Sequence, residues 1–102
     1  MAFNGNEGSS ITLTDAGTLT AAFRAAFPTQ PQGYFFGVNH INTISAQTGN
    51  KGIRVYFGLS AGKITLVLVG ADANTNDQVN GCILDYGVGC PPTCGTANNL
   101  NS

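Results

Sequence analysis

The stretch from Gly52 to Gly70 constrains this chain more than any other. It reads GIRVYFG, then LSAG, then KITLVLVG. Two apolar runs of strand length joined by a glycine-containing connection specify a β-hairpin. Side chains alternate with period two, so Ile53, Val55 and Phe57 share one face of the first strand, while Arg54 and Tyr56 share the other. In the second strand Ile64, Leu66 and Leu68 share a face, and Thr65, Val67 and Val69 lie opposite. Setting Phe57 against Ile64, Val55 against Leu66 and Ile53 against Leu68 gathers six large apolar side chains on one surface. That register leaves Leu59-Ser60-Ala61-Gly62 as the turn, with Gly62 free to take a positive φ. The second strand is apolar on both faces, which predicts a central position with Val67 and Val69 covered. Two strands alone are marginal in water, so the rest of the chain has to cover them.

The flanking segments supply the cover. Thr12 and Asp15 predict a helix start, with the Thr12 hydroxyl as N-cap and Asp15 near the positive end of the dipole. Leu19, Phe23 and Phe27 recur every fourth residue, which predicts one apolar stripe facing the core. Pro28 ends the helix at Phe27 or before. Gly33 to Gly37 is a short apolar run that fits an edge strand or a buried loop. Asn39 predicts a second N-cap, with a helix over His40 to Gln47, Ile41 and Ile44 inward, and Gly49 at C′. Cys82 to Tyr86 predicts a third strand beside the hairpin. The expected fold is α+β: two helices on a small antiparallel sheet centred on the hairpin (53–57 and 63–69). One domain over 1–102 is expected, with an arm at 1–10, flexible or docked on a partner, and an irregular Cys/Pro/Asn-rich tail at 87–102.

Charge excludes several functions. The formal net charge is −1, and the four basic residues, Arg24, Lys51, Arg54 and Lys63, are scattered. Nucleic-acid binding needs clustered cations, so no nucleic-acid partner is expected. No apolar run approaches a membrane-spanning length, so no membrane partner is expected either. The first residues, Met-Ala-Phe-Asn-Gly-Asn-Glu, carry neither a basic segment nor an apolar run, and Ala2 excludes myristoylation. The expectation is cytoplasmic synthesis without a signal peptide, which leaves extracellular release by another route open.

Only 9% of residues are charged, against about 25% in ordinary globular domains. Asn, Thr, Ser, Gln and Gly hold the surface positions that Lys and Glu normally take. One reading is a monomer solubilised by neutral polar groups. The sharper reading is a surface made to meet other copies of itself. Weak self-repulsion permits contact, and amides and hydroxyls desolvate more cheaply than charges when they find hydrogen bonds. Phe3, Tyr34 and Tyr86 are the expected assembly residues.

Candidate chemistry is sparse. Asp72, Asn74 and Asn76 match the first oxygen positions of a calcium loop, but Asp77 stands where glycine is needed and Ile83 where the bidentate glutamate belongs. A turn whose Asx side chains bond their own backbone is the better reading. Cys82, Cys90 and Cys94 admit three states. Reduced, packed thiols rank first, a Cys90–Cys94 disulfide second, and a zinc site completed by His40 third. No cofactor is expected, with zinc the alternative. His40, the sole histidine, sits beside a helix end. Arg54 is expected to pair with Asp85 or lie along Tyr56. No Ser/His/Asp arrangement, paired carboxylates or phosphate-cradling loop is present, so no enzyme is expected. The leading function is a non-enzymatic, self-associating structural protein, a filament or lattice subunit. The alternative is a thiol- or metal-dependent binding module built on the cysteines.

Gly52-Ile53-Arg54-Val55-Tyr56-Phe57-Gly58, Leu66-Val67-Leu68-Val69-Gly70 followed by Asp72, Asn74 and Asp77, and Cys90-Pro91-Pro92-Thr93-Cys94 occur in that order. In these motifs the chain resembles short uncharacterised proteins of Bacteroidota, over roughly Leu13 to Cys94. The resemblance implies a bacterial source and carries over no functional residue.

Overall fold

A computed structural model describes all residues from Met1 to Ser102. Along the chain the elements are α1 (Leu13–Ala26), β1 (Gly33–Phe35), α2 (Val38–Ser45), β2 (Asn50–Ser60), β3 (Lys63–Asp72), β4 (Ile83–Leu84) and β5 (Val88–Cys90). The class is α+β, with two helices and two antiparallel sheets, one ordered β2-β3-β4 and the other pairing β1 with β5. The chain groups into two compact units. Met1–Gly8 with Phe36–Gly87 forms the first, and Ser9–Phe35 with Val88–Ser102 forms the second.

The first unit is built on the hairpin, and β3 is central as its two apolar faces require. The register differs from the expected one. Phe57 pairs with Leu66, Val55 with Leu68 and Ile53 with Gly70, two residues along from the sequence expectation. The turn explains the shift. Ala61 and Gly62 take φ of 51° and 78° and form a two-residue connection between Ser60 and Lys63. Two positive φ values in a two-residue loop match the right-handed twist of the strands, so this tight turn displaces the looser four-residue one. A shift of two leaves each side chain on its original face.

That face makes the core. Ile44, Leu68 and Leu84 are buried together, with Phe36, Ile41, Ile53, Leu66 and Cys82 partly buried around them. Ile44 is 0% exposed, a burial that contributes roughly 1.5–3 kcal/mol. It belongs to α2, which starts two residues earlier than expected. Gly37, not Asn39, is the N-cap and makes no side-chain cap bond, and the helix ends at Ser45, with Ala46 as its C-cap, rather than running to Gln47. Gly49 therefore lies beyond the C-terminus, although its φ of 77° serves the turn into β2.

In the second unit the Thr12 side chain accepts the Asp15 N–H at 3.1 Å, as the capping pattern expects. The apolar stripe does not behave as expected. α1 has no buried residue, and Leu13, Leu19 and Phe27 are exposed. Its internal contact is Phe23 against Phe27, with ring centroids 5.0 Å apart. The Gly33–Phe35 run is a strand whose partner is the start of the tail, with Gly33 opposite Cys90 and Phe35 opposite Val88. The tail is thus irregular only after Cys90. Arg24 ties α1 to its end by donating to Leu100 O at 2.6 Å and Ser102 O at 3.2 Å. Gly17 is required at that approach, because a Cβ there would meet Asn99 O at 2.8 Å.

Candidate functional site

On the polar face of β2, Arg54 and Tyr56 stand side by side because they are two residues apart on one strand. Neither reaches Asp85; both reach Asp77. One Asp77 oxygen pairs with the Arg54 guanidinium and the other accepts the Tyr56 hydroxyl. The loop before Asp77 places it there. Asp72 Oδ1 accepts the Asn74 and Asn76 N–H groups at 2.9 and 3.0 Å, and Ala71 bridges to Asp77. This is the self-bonded Asx turn expected in place of a calcium loop.

Arg54 also donates to Thr75 O at 3.1 Å and lies 5.4 Å from the centre of the Phe3 ring. Charge-assisted bonds dominate the electrostatics here. The Tyr56 hydroxyl, then the Arg54 guanidinium, hold the Asp77 carboxyl below the usual carboxylate range. Bonding to Asp77 raises Tyr56 in turn, and the same carboxylate raises Arg54. Beside this cluster lies a groove of about 430 Å³, lined by Phe3, Glu7, Lys51, Ile53, Arg54 and Val55 among others.

Behind the strands, amides form a second cluster. Gln78 Oε1 accepts from Gln47 Nε2 at 2.8 Å and Asn50 Nδ2 at 2.9 Å, while Gln47 Oε1 accepts the Cys82 N–H at 2.7 Å. This network closes the chain around the core edge and leaves its polar groups satisfied.

Among the cysteines, Cys90 and Cys94 form a disulfide, and Cys82 is the free thiol. This corrects the ranking of reduced thiols first. The Cys90-to-Cys94 loop is closed by short-range geometry, with Cα atoms 4.7 Å apart and Thr93 N–H donating to Gly89 O at 3.0 Å. The zinc alternative needs thiolates from both residues, and no three His, Cys, Asp or Glu side chains gather at metal-binding distance. His40 is exposed on α2.

The expected assembly residues are placed differently from one another. Phe3 is half-buried beneath Arg54. Tyr34 is half-buried in β1, its ring 3.6 Å from where a Gly89 Cβ would stand. Tyr86 is 95% exposed and has a φ of 57°. A positive φ is uncommon for a bulky residue; the Tyr86 N–H donates to Asp85 Oδ1 at 2.7 Å.

Two residues depart from the sequence reading. Phe57, expected under cover on the apolar face, and Leu59, expected in the turn but paired with Ile64 within the strands, lie on the core face of the hairpin and are 82% and 79% exposed. Element lengths carry the signal. β2 has 11 residues and α2 has 8. The strand runs about 37 Å and the helix about 12 Å, so the helix covers only part of the ribbon. No helix is long and apolar enough to cross a membrane. No protein-family model, curated protein or solved structure matches this chain.

Proposed function

We propose that this chain is a non-enzymatic structural subunit that associates with other copies of itself, by pairing the outer edge of β2 with the same edge of a second copy. The observation that carries this reading is the uncovered distal half of the hairpin. β2 is the edge strand of its sheet, and Phe57 and Leu59 stand open beside that edge. Exposed apolar edge strands are ordinarily guarded by charges, prolines or bulges. Lys51 and the register shift between Asn50 and Gly52 guard only the start of β2; from Gly52 to Ser60 the only charge is Arg54, and it is engaged by Asp77. Antiparallel pairing of β2 with β2 is self-complementary, satisfies the free backbone groups and brings Val55, Phe57 and Leu59 of both copies onto one continuous face. With a net charge of −1, repulsion between copies is weak.

A two-fold contact of this kind closes into a dimer. Growth into a filament or lattice requires a second surface. The exposed Leu13, Leu19 and Phe27 of α1 are apolar groups of the kind such a contact uses.

Light scattering and negative-stain microscopy at micromolar concentration test the proposal. Assembled particles are expected for the native chain, and Phe57→Lys or Leu59→Lys should return it to smaller species with unchanged circular dichroism. A clean monomer across varied salt and pH overturns it.

A further inference from the structure

We infer that the two-fold axis relating two copies passes between their Tyr56 residues, so that residues 52–60 of one chain pair antiparallel with the same residues of the other, and each hairpin end enters the groove between β2 and the arm of its partner copy. The inference rests on the self-association reading and fixes the register of that contact.

Three observations carry it. First, the turn decides which backbone groups face outward. Ala61 and Gly62 form a two-residue loop closed by Ser60 and Lys63. The pair flanking such a loop exchanges both of its N–H···O bonds, and hydrogen-bonded pairs then alternate along the ladder. Ser60, Gly58, Tyr56 and Arg54 therefore turn their backbone groups toward β3, while Leu59, Phe57, Val55 and Ile53 turn theirs to the free edge. Gly70, opposite Ile53, has its carbonyl taken by the Gln78 N–H at 2.8 Å, as this alternation requires.

Second, the free edge is bounded at both ends. The register shift between Asn50 and Gly52 interrupts it at one, where Gly5 of the arm sits with its missing Cβ 3.5 Å from the Lys51 carbonyl. The turn ends it at the other, and Tyr56 is the midpoint of 52–60. An outward backbone group is satisfied only by another outward group, so the allowed registers set odd-numbered residues against odd-numbered residues. Centring on Tyr56 pairs Ile53 with the neighbour's Leu59 and Val55 with its Phe57, in both directions, and leaves no outward residue of the segment unpaired. Centring on Val55 carries the pairing into the bulge, and centring on Phe57 sets Ile53 against the neighbour's turn. The Tyr56 register also places a large apolar side chain opposite another at every outward pair. On the polar face Arg54, engaged by its own Asp77, meets Gly58, which has no side chain to displace it.

Third, the groove lies where this register needs it. Its β2 lining is the consecutive run from Lys51 to Val55. Alternate side chains point to opposite faces, so a groove that touches every residue of the run follows the strand's edge. Phe3, Gly5 and Glu7 line it from the arm, and about 430 Å³ stays open. The Tyr56 register lays Phe57, Leu59 and Ser60 of the neighbour along Val55, Ile53 and Gly52, within that groove. What continues toward Lys51 is Ala61 and Gly62, the two smallest side chains of the hairpin end.

Disulfide trapping in a Cys82→Ser background tests the register. A Gly52→Cys chain and a Ser60→Cys chain are mixed at micromolar concentration, oxidised with glutathione disulfide and analysed by mass spectrometry. Both keep Tyr56 and the apolar residues, a Cβ at Gly52 meets nothing within 4 Å, and Ser60 is exposed. The mixed disulfide between residues 52 and 60 is expected at about tenfold or more above the product of either chain oxidised alone, because Cα atoms more than about 7 Å apart are not bridged. Tyr56→Cys should link to itself, and Val55→Cys or Phe57→Cys alone should not. Assembled particles that link through Val55→Cys or Phe57→Cys alone, or that give no link between 52 and 60, overturn the register and leave self-association standing. Absence of particles overturns both.

Discussion

The two units of this chain are stabilised by different physics. The first has a core. Every buried apolar residue, Ile44, Leu68, Val69, Ala71 and Leu84, belongs to it. The second has none. Its short ribbon is fixed by the Cys90–Cys94 bond and by Gln32 N–H donating to Cys90 O at 2.6 Å, and its helix by a Thr12 cap and the Arg24 bonds to Leu100 and Ser102. Hydrophobic burial scales with area removed from water, and the second unit removes little. Its apolar side chains remain available for contact with something else. A cored hairpin and a stapled, coreless unit therefore stand side by side in one sequence.

Substitutions in the core should break that contrast most strongly. Ile44→Ala leaves a cavity where α2 meets β3, and should cost about 2–5 kcal/mol in urea unfolding of the first unit. Phe23→Ala, made where half-buried Phe23 packs on the exposed Phe27 ring in the second unit, should cost clearly less under the same conditions. Equal losses would mean that the second unit has a core after all.

The next effect belongs to the staple. Cys90 and Cys94 are separated by four positions. Closing so short a loop restricts the unfolded chain by about 2 kcal/mol in the loop-entropy account. The Cys90→Ser, Cys94→Ser double variant should loosen β1 and β5, seen as faster amide hydrogen exchange at Gly33 to Phe35 and Val88 to Cys90. Exchange at β2 and β3 should be unaffected. A smaller loss, about 1 kcal/mol, is expected from Thr12→Ala, which removes the acceptor of the Asp15 N–H. It should be seen as fraying of the first turn of α1.

The same division separates what sequence reveals from what it does not. The central β3, the α+β class, the Thr12 cap and the inward Ile41 and Ile44 are legible, because each follows from a local period or a single capping side chain. The hairpin register is not. It depends on Ala61 accepting a positive φ, a cost that alanine propensity disfavours and the strand pairing outweighs. Arg54 finds Asp77 rather than Asp85 because its partner is delivered by a loop, and loops carry no periodicity from which spacing can be read. The stripe on α1 shows the limit of periodicity itself. Leu19, Phe23 and Phe27 do fall on one side of the helix, but amphipathic spacing identifies a face without identifying what covers it. The disulfide is legible only as one of three cysteine states, since spacing alone does not set oxidation.

The smallest expected effect is also the most specific to the first unit. It concerns how its polar face responds to pH. Asp77 is held below the usual carboxylate range, first by the Tyr56 hydroxyl and then by Arg54. A group whose folded value is depressed contributes stability that is complete above its unfolded value and is lost as pH falls through the folded one. Tyr56 is shifted the other way by its bond to Asp77. Its contribution is complete below the ordinary tyrosine range and is lost as pH rises through the raised folded value. Stability of the β2–β3 ribbon should therefore show a plateau, falling on the acid side below the normal carboxylate range and on the alkaline side above the normal tyrosine range. Glu7, lowered foremost by the Asn4 N–H, adds to the acid limb alone. Tyr56→Phe should erase the alkaline limb and shrink the acid one, Asp77→Asn should erase the alkaline limb and leave only the Glu7 part of the acid one, and Glu7→Gln should touch only the acid side. Urea titrations followed at β2 and β3 amides across pH separate these cases. An alkaline limb that survives Tyr56→Phe would show that the Asp77–Tyr56 bond does not couple this face to pH.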